Sequence, residues 1–267
     1  MSQAGVGKDR IQQVSRYAFA IESASYDYSN MVLQGMAAIS ADRLDCELIG
    51  LAVWDGQAGD GPGGTASIVA RWIAAGTRMI VIHPSGAVLE NYERPSHATS
   101  EGDTKIIAVL FADVVHFSHL TEKQIPLFRD EFLPIIAEIV QSHREPLLKN
   151  TWGDGLFFAF DDLIEAGHFA LDLQRQIAQK PWAKLGLPQE LNLRIGLHAG
   201  PACDCVNPVT GRRDFLGFHV NRGARIEPTT DTGQIFCSQE FAALVRACGN
   251  PTRQAEGQPQ RQPQGAS

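Results

Sequence analysis

The stretch Lys105-Ile106-Ile107-Ala108-Val109-Leu110-Phe111-Ala112-Asp113-Val114-Val115-His116-Phe117-Ser118 decides how this chain is read. From Lys105 to Val115 it is a continuous apolar run rich in β-branched residues, which predicts a strand. Asp113 sets a carboxylate near the strand's end. Taken alone, such an aspartate is more often a cap or turn residue than a ligand. Downstream, Phe128, Phe132, Ile135, Ile136 and Ile139 fall on one face of a helix expected from about Glu122 to Ser142. Leu147 to Thr151 and Leu156 to Phe160 then read as short strands around Trp152-Gly153-Asp154-Gly155, whose Asp-Gly pair signals a hairpin. Adjacent antiparallel strands can bring Asp113 and Asp154 to one edge of a sheet. Hard oxygen ligands of that kind suit Mg²⁺ or Mn²⁺, which complete their shells with phosphates and water.

Working onward, Ala166, Phe169, Ala170, Leu173 and Ile177 mark a second amphipathic helix. Leu191 to Ala199 reads as a strand and Gly200 to Arg213 as an irregular hairpin. Within Asp214 to Ile226 the part from Gly217 looks helical, and Asn221 and Arg225 stand four apart on one face. An amide beside a guanidinium can orient a sugar and neutralise phosphate, although an isolated pair is more often a solvated polar face. A strand at Gln234 to Cys237 and a helix at Gln239 to Ala247 follow. The order βαββαβ, with an added hairpin and an αβα ending, predicts an α+β fold: a ferredoxin-like antiparallel sheet covered by helices.

Upstream, residues 9 to 41 hold two helix-like stretches. Glu47 to Trp54 predicts a strand, Thr65 to Ala75 a helix and Met79 to His83 another strand, a β-loop-α-β pattern of a small partial α/β lobe. Gly61, Gly63, Gly64 and Thr65 put a glycine-rich loop before a helix N-terminus, where backbone N–H groups can hold an anion, although a purely structural loop is the plainer reading. The chain thus divides into a lobe at 1–83, a linker at 84–103, a main domain at 104–247 and a tail at 248–267 with almost nothing to bury, expected to be disordered. At 267 residues, two units are the natural expectation.

A net charge of −7 argues against a nucleic-acid partner, because that binding needs clustered cations. No apolar run of about 18 residues and no signal-peptide pattern occur, so the expectation is a cytoplasmic protein with no membrane partner. The five cysteines have no paired metal-ligand spacing beyond Cys203-Asp204-Cys205 and read as reduced, packed thiols.

Phe111-Ala112-Asp113 through Phe117-Ser118, then Gly153-Asp154-Gly155, then Asp214 through Gly217, Val220, Asn221 and Arg225 resemble, in order and spacing, the signature segments of the class III adenylate and guanylate cyclases. The likeness covers Lys105 to Val245. Pro208 to Arg212 matches a hairpin found in bacterial members, and the N-terminal lobe resembles half of a Rossmann-like sensing domain. The resemblance implies that Asp113, Asp154 and the carbonyl of Val114 hold two Mg²⁺ or Mn²⁺ ions per active site. It further implies that Arg225 stabilises the α-phosphate, that Asn221 fixes the ribose, and that Phe117 and Gly153 line the substrate. Because such sites are shared between two domains, a single copy implies a homodimer. Asp214 matches the base-reading position of adenylate-specific members, which favours ATP and cyclic 3′,5′-AMP. Asn150 stands where adenylate members have Lys and guanylate members Glu, so guanylate or pyrimidine cyclisation stays open. His116 replaces a residue that is often glycine. No lysine follows Lys184, whereas relatives place one on a final hairpin to grip the triphosphate; a catalytically impaired nucleotide-binding module is the alternative this raises.

Overall fold

The computed structural model describes residues 22–57, 63–89 and 104–248. The start of the first predicted helical stretch, Gly61, most of the predicted linker and nearly all of the predicted tail lie outside the described residues.

The central strand β4 (Thr104–Val115) is apolar on both sides because both sides are covered. Ala108, Leu110, Ala112 and Val114 enter the larger core, whereas Ile107 and Val109 enter a smaller one on the opposite face. Strands β5 (Leu148–Trp152), β6 (Gly155–Phe160), β7 (Asn192–Val206) and β8 (Arg213–Leu216) complete the path β5-β6-β4-β7-β8, antiparallel at every step. β9 (Ile235–Cys237) joins the edge of β7 in parallel, so the six-stranded sheet is mixed there. The predicted hairpin at 200–213 begins later than expected, because β7 continues to Val206 and pairs with β8.

Helical segments cover both faces of the sheet. Helix α3 (Gln124–Leu127) runs through a wide turn at Phe128–Phe132 into α4 (Leu133–Ser142). Pro134 cannot donate to the carbonyl of Asp130, which accounts for the widening. With α5 (Leu163–Gln179) and α7 (Gln239–Ala247), these segments fill the larger core. Asp162 caps α5 by accepting from the Ile164 and Glu165 N–H groups at 2.9 and 3.1 Å. The short α6 (Phe218–Ile226) lies on the opposite face, where the missing side chain of Gly223 admits Val109 and Phe111.

Upstream of the sheet, the described part of the region expected to hold two helical stretches is one helix, α1 (Glu22–Leu44). It packs on the domain: Tyr28 and Val32 are buried in the larger core. The Tyr28 hydroxyl donates to the carbonyl of Ala199 at 3.5 Å. That carbonyl belongs to the part of β7 left between the residues paired with β9 and those paired with β8. Gly35 sits so close to Ala243 of α7 that a Cβ would overlap the Ala243 carbonyl. The remaining lobe is a three-stranded sheet in which β1 (Ile49–Val53) and β2 (Arg78–Ile82) run parallel, joined through α2 (Thr65–Ala74). A two-residue β3 (Val88–Leu89), in what the sequence suggested was linker, adds an antiparallel edge. Trp54, Ala66, Val69 and Val81 form its own small core, and Arg71 of α2 pairs with Asp27 of α1 at 2.6 Å.

Candidate active site

Asp113 and Asp154 meet because β4 and β6 pair with Asp113 opposite Gly155, the residue just after the hairpin tip. Gly153 takes the positive φ of 65° that the tight turn demands. The Val114 N–H then donates to the Asp154 carbonyl at 3.2 Å, locking the tip against the end of β4. Burial raises the Asp113 carboxyl above the ordinary range, and the nearby Asp154 charge adds to it.

Sequence reasoning missed two residues here. On the other side of β4, Arg194 of β7 stands directly opposite Asp113 and donates to its Oδ2 at 2.8 Å. The same guanidinium donates through Nε to Glu227, which follows α6. Glu227 is also pushed up by burial, an effect Arg194 opposes and the charges of Asp113 and Asp154 reinforce. Two carboxylates therefore share one guanidinium with a third, Asp154, close by, a locus short of positive charge. A periodicity reading finds the two strands, but only their register reveals that Arg194 faces Asp113.

The donor set suits a hard divalent cation. Among the described residues no group of three or more His, Cys, Asp or Glu side chains could hold a metal, so a cation at the aspartate pair would take its remaining ligands from backbone, phosphate and water. Mg²⁺ and Mn²⁺ bind in that manner, whereas zinc demands a fuller protein shell.

The other expected residues lie elsewhere in the chain. Asn221 and Arg225 are exposed on α6, and among the described residues neither bonds Asp113 or Asp154. Their helix is anchored beneath by His219, whose Nδ1 shares a 2.9 Å hydrogen bond with His198 of β7. His198 in turn bonds the Ser238 hydroxyl at 2.7 Å, and Arg222 pairs with the nearly buried Glu240 at 2.6 Å. Burial drives both imidazoles down, His198 to about 3 and His219 to about 4.

Asp214 lies on β8 opposite Cys205 of β7, and its carboxylate accepts from Asn207 Nδ2 at 2.9 Å and from the Phe215 N–H at 2.8 Å. Asn150, half-buried on β5, accepts the Thr151 N–H on its Oδ1 at 3.0 Å. Phe117 turns its ring edge-on to Phe128, 4.9 Å between centroids, and is half-buried against the larger core. His116 adopts the left-handed region at φ 70°, which explains why glycine suits that position. In the N-terminal loop, Gly64 caps α2 with no side-chain hydrogen bond, and the Gly63 carbonyl accepts from Asn30 at 3.1 Å.

Residues 100–259, more than half of the chain, match the family described as the adenylate and guanylate cyclase catalytic domain. Similar proteins include an adenylate cyclase of Podospora anserina, 40% identical over 54% of this chain and 8% of the relative. An adenylate cyclase of Mycosarcoma maydis is 32% identical over 34% of this chain and 4% of the relative. The receptor-type guanylate cyclase gcy-6 of Caenorhabditis elegans is 28% identical over 57% of this chain and 15% of the relative. The chain thus spans only a small part of the curated relatives it matches. Among solved structures, the adenylyl cyclase CyaB from P. aeruginosa is similar with a TM-score of 0.48 and 20% identity, covering 54% of this chain and 81% of that one. The guanylyl cyclase Cya2 is similar with a TM-score of 0.48 and 22% identity, covering 56% of this chain and 81% of that one. With its signature segments lying inside the matched region, this chain belongs to the adenylate and guanylate cyclase catalytic domain family, the class III nucleotide cyclases.

Proposed function

We propose that the chain cyclises ATP to 3′,5′-cyclic AMP and pyrophosphate in a site shared by two copies. The apposition of Asp113 and Asp154 in a locus short of positive charge supports this reading most directly. Asp113, Asp154 and the Val114 carbonyl would hold two Mg²⁺ or Mn²⁺ ions, which acidify the ribose 3′-hydroxyl and balance the triphosphate. The 3′-oxygen attacks the α-phosphorus in line, the bond to the pyrophosphate oxygen breaks, and the hydroxyl proton passes to solvent. Asn221 orients the ribose, and Arg225 meets the charge that develops on the α-phosphate. Arg194 fixes the Asp113 carboxylate from the neighbouring strand.

Two copies are inferred from one strand. Arg194, level with Asp113, and Cys205, level with Asp214, stand at opposite ends of β7. At about 3.3 Å per residue they are roughly 35 Å apart along it. A nucleotide touching both ends therefore needs Asp214 from one protomer and the aspartate pair from another, and Asn221 and Arg225, exposed on α6, are assigned to the protomer of Asp214 because they share its signature segment. Adenine is supported by the hydrogen bonds at the base-reading positions. Asp214 offers acceptors to an exocyclic amine, and Asn150, its oxygen engaged, offers a donor to a ring nitrogen.

Complementation tests the proposal. Asp113→Ala and Arg225→Ala are each expected to abolish turnover of ATP with Mn²⁺, whereas an equimolar mixture should recover about a quarter of wild-type activity, since half of the dimers carry one intact site. No recovery from two well-folded variants would rule out the shared site, and cyclic GMP as the main product would overturn the base assignment.

A further inference from the structure

We infer that Asn207 is a positioning residue for base selection, aiming the Asp214 carboxylate at the nucleobase. The inference rests on the reading of Asp214 as the group that meets the base.

Asn207 follows the last residue of β7, where the chain leaves the sheet and returns as β8. Its backbone closes the loop: the Asn207 N–H donates to the Arg212 carbonyl, and the Gly211 N–H donates to the Asn207 carbonyl, both at 2.8 Å. Its side chain is held at the oxygen, where Oδ1 accepts the Val209 N–H at 2.9 Å. With the oxygen committed, the NH₂ end has one orientation, and it donates to Asp214 Oδ2 at 2.9 Å. Asp214 Oδ1 is held separately by the Phe215 N–H at 2.8 Å. Each carboxylate oxygen thus has one donor of fixed direction, and its remaining lone pairs point along a defined line. Below this, the Cys205 thiol donates to the Asp214 carbonyl at 3.7 Å, keeping the two strands in register.

This arrangement bears on selectivity rather than on bond making. A carboxylate only accepts hydrogen bonds, so it favours the 6-amino group of adenine and disfavours the 6-oxo group of guanine. That preference depends on direction, because hydrogen bonds weaken steeply off axis. Without the Asn207 donor, Oδ2 is free to swing about the terminal torsion, which is broad and roughly two-fold for aspartate. The acceptor then spreads over directions, and the advantage of adenine over guanine falls.

Two substitutions separate this from a loop-building role. Asn207→Asp keeps an oxygen for the Val209 N–H but replaces the donor facing Asp214 with an acceptor. Asn207→Ala removes both contacts. Loss of a charge-assisted hydrogen bond predicts about a tenfold fall in the ratio of kcat/KM for ATP to that for GTP in both variants. The change should reside mainly in KM for ATP, with kcat held within about threefold. Asp214→Ala should lower the ratio at least as far, and adding Asn207→Asp to it should change nothing more. If Asp214→Ala lowers the ratio while Asn207→Asp leaves it unchanged, the positioning role is overturned and the base-reading assignment stands. If Asp214→Ala leaves the ratio unchanged, both are overturned. Should turnover fall below detection, equilibrium binding of 3′-deoxy-ATP and 3′-deoxy-GTP with Mn²⁺ gives the same ratio and the same decisions.

Discussion

Gly35→Ala should destabilise the protein, against the direction that helix propensity alone would give. Alanine in a helix interior is favoured over glycine by about 1 kcal/mol, so on an exposed, undocked helix the change would be stabilising. Gly35, however, faces the backbone carbonyl of Ala243, and an added Cβ would overlap it. That neighbour is main chain within α7 and cannot swing aside. Helices α1 and α7 must separate instead, loosening Tyr28 and Val32, which are 0% and 1% exposed. Burial of a large apolar side chain is worth about 1.5–3 kcal/mol, and overpacking costs about 1–3 kcal/mol. Set against the propensity gain, the expected net loss is about 2 kcal/mol, or a Tm lowered by roughly 5 °C for a chain of this size. Urea unfolding of the full chain, followed by fluorescence and far-ultraviolet circular dichroism, measures it. An unchanged or raised midpoint would refute the docking of α1 on α7, since an undocked helix gains from alanine.

Acidification gives a second expectation. Because His198 and His219 titrate at about 3 and about 4 in the fold, below the ordinary imidazole value of 6.5, the unfolded chain binds more protons between those limits. Stability is therefore full above pH 6.5 and falls as pH drops toward 4, by up to about 1.4 kcal/mol per pH unit for each group, a slope that chemical denaturation should show and His198→Asn should reduce. Asp162→Ala should cost about 1 kcal/mol through loss of the α5 cap, read as a lower urea midpoint with an unchanged slope. His116→Gly should stabilise by about 1 kcal/mol in the same assay, because glycine tolerates the positive φ there. Chelation with EDTA should abolish cyclic AMP formation, and Mn²⁺ should restore it; turnover persisting through chelation would refute the cation requirement.

Periodicity located β4, the two long core helices and the Gly153–Gly155 hairpin within a few residues, because each buries a continuous apolar face. It stopped β7 too early, at Ala199. The residues beyond, Pro201 to Val206, look like loop material, yet Ala202 is buried and the strand is held by pairing with β8. The same blindness to pairing hid Arg194 and Glu227, since a cross-strand neighbour depends on register rather than on local pattern. Asp113 and Asp154 stood out by their flanking residues. Asn207 did not, because an asparagine in a turn is commonplace and only the direction of its NH₂ distinguishes it. For α1, the helical stretch was visible but its docking surface was not, since a glycine at a helix crossing looks in sequence like a weakness.

The length of β7 has one more consequence. A continuous strand that starts beside the proposed cation locus and finishes beside the proposed nucleobase contact links the two ends mechanically. In the proposed twofold pair those ends would serve different nucleotides, so any strain that sharpens substrate choice in one catalytic centre would disturb phosphate handling in its twin. Evolution or engineering of such a pair must then adjust both properties together.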